Sequence, residues 1–269
     1  MIAGSAAVVV EDAARRLAAA GCTSSRLDAE LLLAHVLGVD RAAVLTRGDE
    51  PLDDDARTAF DALVRRRERR EPVAYLTGTK GFRHLELKVD RRVLIPRPDT
   101  ETLVEVAVEV APEGARVHDV GTGSGAVALA LAQERPDLSV TASDSSPGAV
   151  EVARANAARL ELDVPVEIAN GLPPGGYDLV VANLPYVRAD EWDGLEPEIR
   201  EHEPREALVS GKDGLDAIRS LVLQAESRTL LALEHAPDQA EAVRSLLRDD
   251  ARTVQDLAGR DRVTVGGAP

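Results

Sequence analysis

The sequence predicts an α/β fold: a mainly parallel sheet with helices on both faces, preceded by a small helical domain. Two observations support this prediction. Short aliphatic runs alternate with helix-length segments after Pro98, and the segment before Tyr75 carries only helical periodicity. Sheets of this kind bind ligands outside the carboxyl ends of their strands. We therefore expect the functional residues to follow the predicted strands directly.

The helical domain is predicted to span residues 1–78. The run of Leu27, Leu31, Leu32 and Val36 follows helical periodicity. The acidic cluster Asp53–Asp55 favours the start of a second amphipathic helix. No combination of residues in this domain indicates catalysis. We interpret its arginine run, Arg65–Arg70, as a solvated helix end.

A β-hairpin connector is predicted between the helices and the sheet. Leu85, Leu87 and Val89 alternate with polar residues, as in a strand with one buried face. The second domain, residues 79–269, comprises this connector and the sheet. Its predicted strands are Arg116–Val120, Leu138–Ser143, Val164–Ile168, Tyr177–Ala182 and Thr229–Leu233, and its predicted helices include Ala126–Glu134, Pro147–Leu160 and Leu215–Glu226.

A glycine-rich turn, the glycine loop (residues 121–125), follows the first of these strands and opens a helix. Alternate glycines let the backbone approach a ligand closely, at a helix N-terminus. The pattern from Asp119 to Gly125, D-x-G-x-G-x-G, is typical of S-adenosylmethionine-dependent methyltransferases, whereas the dinucleotide pattern G-x-G-x-x-G/A fits only when forced. We predict S-adenosylmethionine as the cofactor and S-adenosylhomocysteine as the product. The candidate cofactor residues are Asp119, Gly121, Thr122, Gly123, Ser124, Gly125, Asp144 and Asn183.

Two acidic residues have specific expected roles in that site. Asp119 precedes the glycines and could hold the cofactor's ammonium group. Asp144 ends the second strand, where a carboxylate can accept both ribose hydroxyls. The alternative for Asp144 is a cap on the following helix.

The fourth strand ends in Asn183-Leu184-Pro185-Tyr186, the acceptor loop. It resembles the [N/D]-P-P-[Y/F] loop of enzymes that methylate planar nitrogens of amides or exocyclic amines. The Asn183 side-chain oxygen and the Leu184 carbonyl can accept the two hydrogens of such a nitrogen, and Tyr186 can stack on its plane. Catalysis then needs positioning and electrostatics without a general base. We predict Asn183, Pro185 and Tyr186 as catalytic residues, and the whole loop as the substrate site.

With these residues in place, nearly the whole chain resembles the HemK/PrmC family, which methylates the glutamine of the Gly-Gly-Gln motif in class-I peptide chain release factors. The resemblance implies a class I, Rossmann-like methyltransferase domain, and a helical domain that docks the release factor. The matching segments are Glu71–Gly78, Leu94–Glu101, Asp119–Gly125, Asp144, Asn183–Tyr186, Glu203–Pro204, Asp213–Leu215 and Asp256–Arg262.

Leu184 departs from the family pattern, because it replaces the usual first proline. Asn-Leu-Pro-Tyr is the form found in ribosomal-RNA adenine dimethyltransferases, so adenine methylation of nucleic acid stays an alternative. Methylation of a ribosomal-protein glutamine is a second alternative, although Ile95–Pro98 has the release-factor form I-P-R-P. After the third strand, Asn170 and Gly171 offer no aromatic ring for the cofactor's adenine.

The charge and composition of the chain limit the kinds of partner and the cellular location that we expect. A net charge of −15, from 32 basic and 47 acidic residues, opposes direct nucleic-acid binding. The scattered histidines and single cysteine indicate no metal site. We expect a cytoplasmic monomer without membrane contact. The acidic run Glu196–Glu203 is interpreted as solvated surface.

Overall fold

The computed structural model describes residues 4–248 and 250–269, and these form two compact units. The helical unit comprises the described residues up to Gly78 together with Glu196–His202. The sheet unit comprises Thr79–Leu195 and Glu203–Pro269. The boundary predicted from the sequence also lies after Gly78, but the prediction left residues 196–202 in the second domain, and residues 1–3 of the first lie outside the described residues.

The elements of both units follow in chain order. The α-helices within the described residues are α1 Ala6–Ala19, α2 Ser25–Leu37, α3 Arg41–Thr46, α4 Asp54–Glu68, α5 Val73–Thr77, α6 Glu101–Val110, α7 Ala126–Glu134, α8 Pro147–Arg159, α9 Pro197–His202, α10 Asp216–Gln224 and α11 Ala240–Leu246. The strands there are β1 Thr79–Phe82, β2 Leu85–Lys88, β3 Arg116–Val120, β4 Ser139–Asp144, β5 Val166–Ile168, β6 Leu179–Ala182, β7 Leu230–Glu234, β8 Arg252–Gln255 and β9 Asp261–Gly267.

The helical unit encloses its own apolar core. Leu17, Phe60 and Val64 are fully buried in it, on α1 and α4. The predicted acidic start of α4 is confirmed, because the Asp53 carboxylate accepts a hydrogen bond from the Ala56 backbone N–H at 2.7 Å.

Several charged side chains of this unit that were expected to be solvated form buried or partly buried ion pairs. The buried Arg67 guanidinium donates to the Asp28 carboxylate and to Glu198 on α9, both at 2.8 Å. Arg70 also donates to Glu198, at 2.7 Å, and to Glu196, at 3.1 Å. The interpretation as solvated was therefore wrong for Arg67, Arg70 and Glu198, whereas the side chains of Arg65 and Glu196 are 58% and 63% exposed.

The sheet unit confirms the predicted α/β class. Its seven described strands have the order β5-β4-β3-β6-β7-β9-β8, and they are parallel except for β9, which is antiparallel to both of its neighbours. The five predicted strands correspond to β3–β7, with ends that agree to within two residues. The hairpin of β1 and β2 forms a separate antiparallel pair. Neither β8 nor β9 was predicted from the sequence. β9 ends in two glycines, which favour strands poorly.

The strand order places a crevice at the carboxyl ends of β3 and β6. From β3 the chain proceeds to β4 on one side, whereas β6 lies on the other side. This is the position where doubly wound sheets bind ligands. None of the helices in the described part of the chain combines the length and apolarity that crossing a bilayer requires.

Candidate functional site

The glycine loop joins β3 to α7, and its three glycines have φ values of 75°, 57° and 85°. This left-handed region is costly for other residues. The backbone N–H of Gly121 donates to the Ser143 carbonyl at 2.9 Å, which fastens the loop to β4. A Cβ atom on Gly123 would meet nothing within 4 Å. The backbone at Gly123 therefore faces open space that a ligand can occupy.

Asp144, at the end of β4, holds the glycine loop. Its two carboxylate oxygens accept hydrogen bonds from the backbone N–H groups of Gly123 and Ser146, both at 2.9 Å. The cap of α8 is Ser146, whose hydroxyl accepts from the Ala149 N–H at 3.3 Å. The alternative role of Asp144 as that helix cap is therefore wrong.

Asp119 lies beneath the glycine loop and is only 1% exposed. Its carboxylate accepts from the Thr122 hydroxyl at 2.7 Å and from the Ala128 N–H at 3.2 Å. Burial raises the pKa of Asp119 to about 7, although these hydrogen bonds oppose the shift. Asp119 thus changes its charge near neutral pH.

Ser124 connects the glycine loop to the hairpin through a residue that the sequence analysis overlooked. The fully buried Asn156 of α8 donates from Nδ2 to the carbonyls of Ser124 and Lys88, both at 2.9 Å. Its Oδ1 accepts from the Lys88 N–H at 2.8 Å. One amide side chain therefore satisfies backbone groups from two segments.

The glycine loop and the acceptor loop line the same cavity, of about 130 Å³, which includes Gly121, Gly123, Asp144, Leu184 and Pro185. Asn183 lines this cavity and also a second one of about 50 Å³, which contains Asp119 and Thr100. The structure thus brings Asn183, Leu184 and Pro185 beside the glycine loop and Asp144, whereas Tyr186 lines neither of these two cavities.

Asn183 directly follows β6 and is oriented by Thr100. Its Nδ2 donates to the hydroxyl of the buried Thr100 at 2.9 Å. Among the described residues its Oδ1 has no hydrogen-bond partner, so this oxygen stays available as an acceptor. The sequence analysis quoted Thr100 within a motif but gave it no role.

Leu184 packs over the glycine loop. A Cβ atom on Gly121 would lie 3.0 Å from Leu184 Cδ2. Leu184 also lines a third cavity, of about 280 Å³, that includes Asn170 and Gly171. The residue that departs from the family pattern therefore fills space between the two loops.

Tyr186 is held at both its hydroxyl and its backbone carbonyl. The hydroxyl donates to the Glu234 carboxyl at 3.3 Å, and the carbonyl accepts from Gln239 Nε2 at 2.9 Å. A Cβ atom on Gly214 would lie 2.1 Å from the same carbonyl oxygen, so only glycine fits there. Burial raises the pKa of Tyr186, which stays protonated at neutral pH.

Glu234 and Gln239 were also missed by the sequence analysis. Glu234 immediately follows the predicted strand Thr229–Leu233, so its position at the carboxyl edge of the sheet was a usable signal. No sequence signal marked Gln239.

Glu203 holds the segment Ile95–Arg97 in place within the sheet unit. Its buried carboxylate accepts from the Ile95 N–H at 3.0 Å and pairs with Arg97. The interpretation of Glu203 as solvated was wrong. The described residues contain no group of three or more histidine, cysteine or acidic side chains that could hold a metal ion.

A sheet of this order with a glycine loop after β3 is the fold of the class I methyltransferases, and here an amide-bearing loop after β6 lines the same cavity. Residues 9–78 match the PrmC N-terminal domain, and residues 98–196 match the Methyltransferase small domain. The chain belongs to the release factor glutamine methyltransferase family, as its motifs predicted.

The relatives cover almost the entire chain. The release factor glutamine methyltransferase of Xylella fastidiosa (strain Temecula1) is 45% identical over 94% of this chain and 97% of its own length. The release factor glutamine methyltransferase of Geobacter sulfurreducens is 41% identical over 93% of this chain and 92% of its own length. Among solved structures, the T. thermophilus 16S rRNA methyltransferase RsmC in complex with AdoMet and guanosine shares the fold. The two structures align with a TM-score of 0.51 at 14% sequence identity, over 71% of this chain and 50% of that chain.

Proposed function

We propose that this chain transfers the methyl group of S-adenosylmethionine to the side-chain amide nitrogen of the glutamine in the Gly-Gly-Gln motif of class-I release factors. Its family membership supports this activity. The observation that carries the proposal is the state of Asn183: Nδ2 is committed to Thr100, which leaves Oδ1 free to accept a hydrogen from the substrate amide beside the glycine loop.

The residues around the glycine loop fit the cofactor. Each oxygen of Asp144 accepts one backbone hydrogen bond, which leaves a lone pair on each for the two ribose hydroxyls. Asp119 would hold the ammonium group, and the open face of Gly123 would accommodate the chain between them. The cofactor, when bound, would supply a methyl group on a positively charged sulfonium.

Leu184 is our candidate for the contact with the cofactor's adenine. Asn170 and Gly171 provide no ring, and Leu184 lines both the main cavity and the cavity that contains them. An aliphatic side chain can cover the flat face of a base by apolar contact. This assigns a role to the leucine that replaces the family's proline.

The acceptor loop would orient the glutamine amide for transfer. Asn183 Oδ1 and the Leu184 carbonyl accept the two amide hydrogens, and Pro185 restricts the loop backbone between them. Tyr186 packs against the plane of the amide. The protein's contribution is to hold the nitrogen in line with the methyl group, because a delocalised lone pair attacks only from a defined direction.

We further propose that the helical unit docks the release factor and that the chain acts as a cytoplasmic monomer without direct nucleic-acid contact. The match of residues 9–78 to the PrmC N-terminal domain supports the docking role. The net charge of −15 supports a protein substrate. Leu184 is the single observation that favours the alternative substrate, an adenine in nucleic acid.

Methyl transfer from labelled S-adenosylmethionine tests the proposal directly. The candidate substrates are a purified release factor, the same factor with its Gly-Gly-Gln glutamine changed to alanine, a ribosomal protein and ribosomal RNA. We expect label in the unmodified release factor alone. Label in RNA, or label that persists after the glutamine is removed, would contradict the proposal.

A further inference from the structure

One buried carboxyl group lies behind the acceptor loop. Glu234, at the end of β7, is 1% exposed. Its Oε1 accepts the Tyr186 hydroxyl at 3.3 Å. Its Oε2 is buried and has no hydrogen-bond partner within residues 4–248 and 250–269.

The other end of the acceptor loop reaches the same carboxyl group through Thr100. The Thr100 hydroxyl accepts Nδ2 of Asn183 at 2.9 Å and lies near enough to Glu234 to favour its ionised carboxylate, which lowers the pKa of that group. Tyr186 thus contacts Glu234 directly, and the hydroxyl that orients Asn183 lies beside the same carboxyl group.

This arrangement is poor for stability alone. A buried carboxyl oxygen without a partner costs free energy, and an apolar residue at this position would avoid that cost. A rigid support for two functional side chains is a role that an apolar residue cannot fill. Positioning residues of this kind act by restricting the geometry of the groups that contact substrate.

We propose that Glu234 is a positioning residue for methyl transfer: its carboxylate holds the Tyr186 hydroxyl beside the Thr100 hydroxyl that orients Asn183, and so fixes the acceptor loop for the substrate. This inference rests on the proposed function and extends it to a residue outside both loops. In the ionised form both carboxylate oxygens act only as acceptors, whereas protonation converts one of them into a donor and removes acceptor capacity.

The charges around Glu234 determine the pH below which this support is lost. Burial raises the pKa of Glu234 to about 7, while the hydroxyls of Thr100 and Tyr186 and the Arg262 guanidinium favour ionisation and Asp99 opposes it. Arg262, on β9, is itself paired with Asp99 at 3.1 Å and with Asp256 at 3.2 Å. Because the ionised form is the supporting one, the transfer rate should rise with pH through neutrality.

The test is the variant Glu234→Gln, measured by single-turnover transfer to release factor at saturating cofactor between about pH 6 and 8. We expect a rate loss of about 10- to 100-fold at the higher pH, as for other errors of positioning. We also expect the pH-dependent rise to disappear. The affinity for S-adenosylhomocysteine should not change, and Tyr186→Phe should add little to the loss in the double variant.

Asp119→Asn is the matched control, because Asp119 also has a pKa of about 7. That variant should bind the cofactor more weakly but retain the pH-dependent rise at saturating cofactor. A rise that disappears in Asp119→Asn and persists in Glu234→Gln would overturn the inference.

A second measurement separates this inference from the proposed function. Backbone amide exchange of residues 183–187 should increase in Glu234→Gln, while that of residues 121–125 should not. If the native chain labels no release factor but this exchange increases, the proposed function is wrong and the positioning role stands. Unchanged exchange together with an unchanged rate refutes the positioning role. Should Glu234→Gln fail to fold, Tyr186→Phe removes only the hydroxyl that Glu234 holds, and a similar rate loss together with loss of the pH-dependent rise is then required.

Discussion

Replacement of Asp144 by alanine perturbs two structures at once, the glycine loop and the proposed ribose site. The change removes the acceptor for the N–H groups of Gly123 and Ser146, both bound at 2.9 Å. Because Asp144 is only half buried, water can replace part of each bond, and we expect a stability loss of about 0.5–1.5 kcal/mol per bond. The loss of a charged acceptor for two hydroxyls should cost a further ~1.5–3 kcal/mol of cofactor affinity.

The expected loss of cofactor affinity corresponds to about a 10- to 150-fold increase in Kd. Calorimetric titration with S-adenosylhomocysteine measures it, and thermal unfolding of the unliganded variant measures the stability term. Ser146→Ala is the comparison variant: it removes the cap of α8 at a cost of about 1 kcal/mol in stability, and although Ser146 lines the same cavity, its effect on Kd should be much smaller than that of Asp144→Ala. If Asp144→Ala lowers stability while its Kd stays native, Asp144 holds only the loop and the ribose contact is wrong.

Three further predictions concern the chemistry, the cofactor and the substrate. Asn183→Ala should lower the single-turnover rate by about 100-fold or more, because one preorganised acceptor is lost, and should affect the rate more than the cofactor affinity. A near-native rate would make Asn183 merely structural. The affinity for S-adenosylhomocysteine, measured by calorimetry, should rise as the pH increases through about 7, because the buried Asp119 then ionises and can pair with the ligand's ammonium group. This rise should disappear in Asp119→Asn. Transfer to release factor should depend only modestly on salt, whereas a nucleic-acid substrate would lose about 10³-fold or more in affinity between about 50 and 200 mM; a steep loss would favour the adenine alternative.

Local patterns were sufficient to predict most of the sheet unit. The strand Arg116–Val120 and the helix Ala126–Glu134 have the predicted bounds, because the glycines between them end one element and permit the next. The glycine loop and the acceptor loop were also recognisable, since each combines special backbone needs with polar groups at a strand end. The roles predicted for their individual residues stay predictions.

Contacts between distant segments could not be predicted in this way. Thr100, Tyr186 and Glu234 come from three parts of the chain, and only the parallel pairing of β6 with β7 brings the last two together. The pairing of Arg67 with Glu198 likewise depends on tertiary structure. A charged run has no periodicity that reveals its partners, so solvent was the default assignment.

The helical unit is built from two separate segments of the chain, and this has a consequence for synthesis on the ribosome. Domains usually fold in order as they emerge, N-terminal first. Here residues up to Gly78 emerge early, but Glu198 is made only after both the glycine loop and the acceptor loop. Until then Arg67 has one of its two carboxylate partners, Asp28. The first unit to begin folding therefore receives its last ion pairs only when most of the catalytic chain has already been translated.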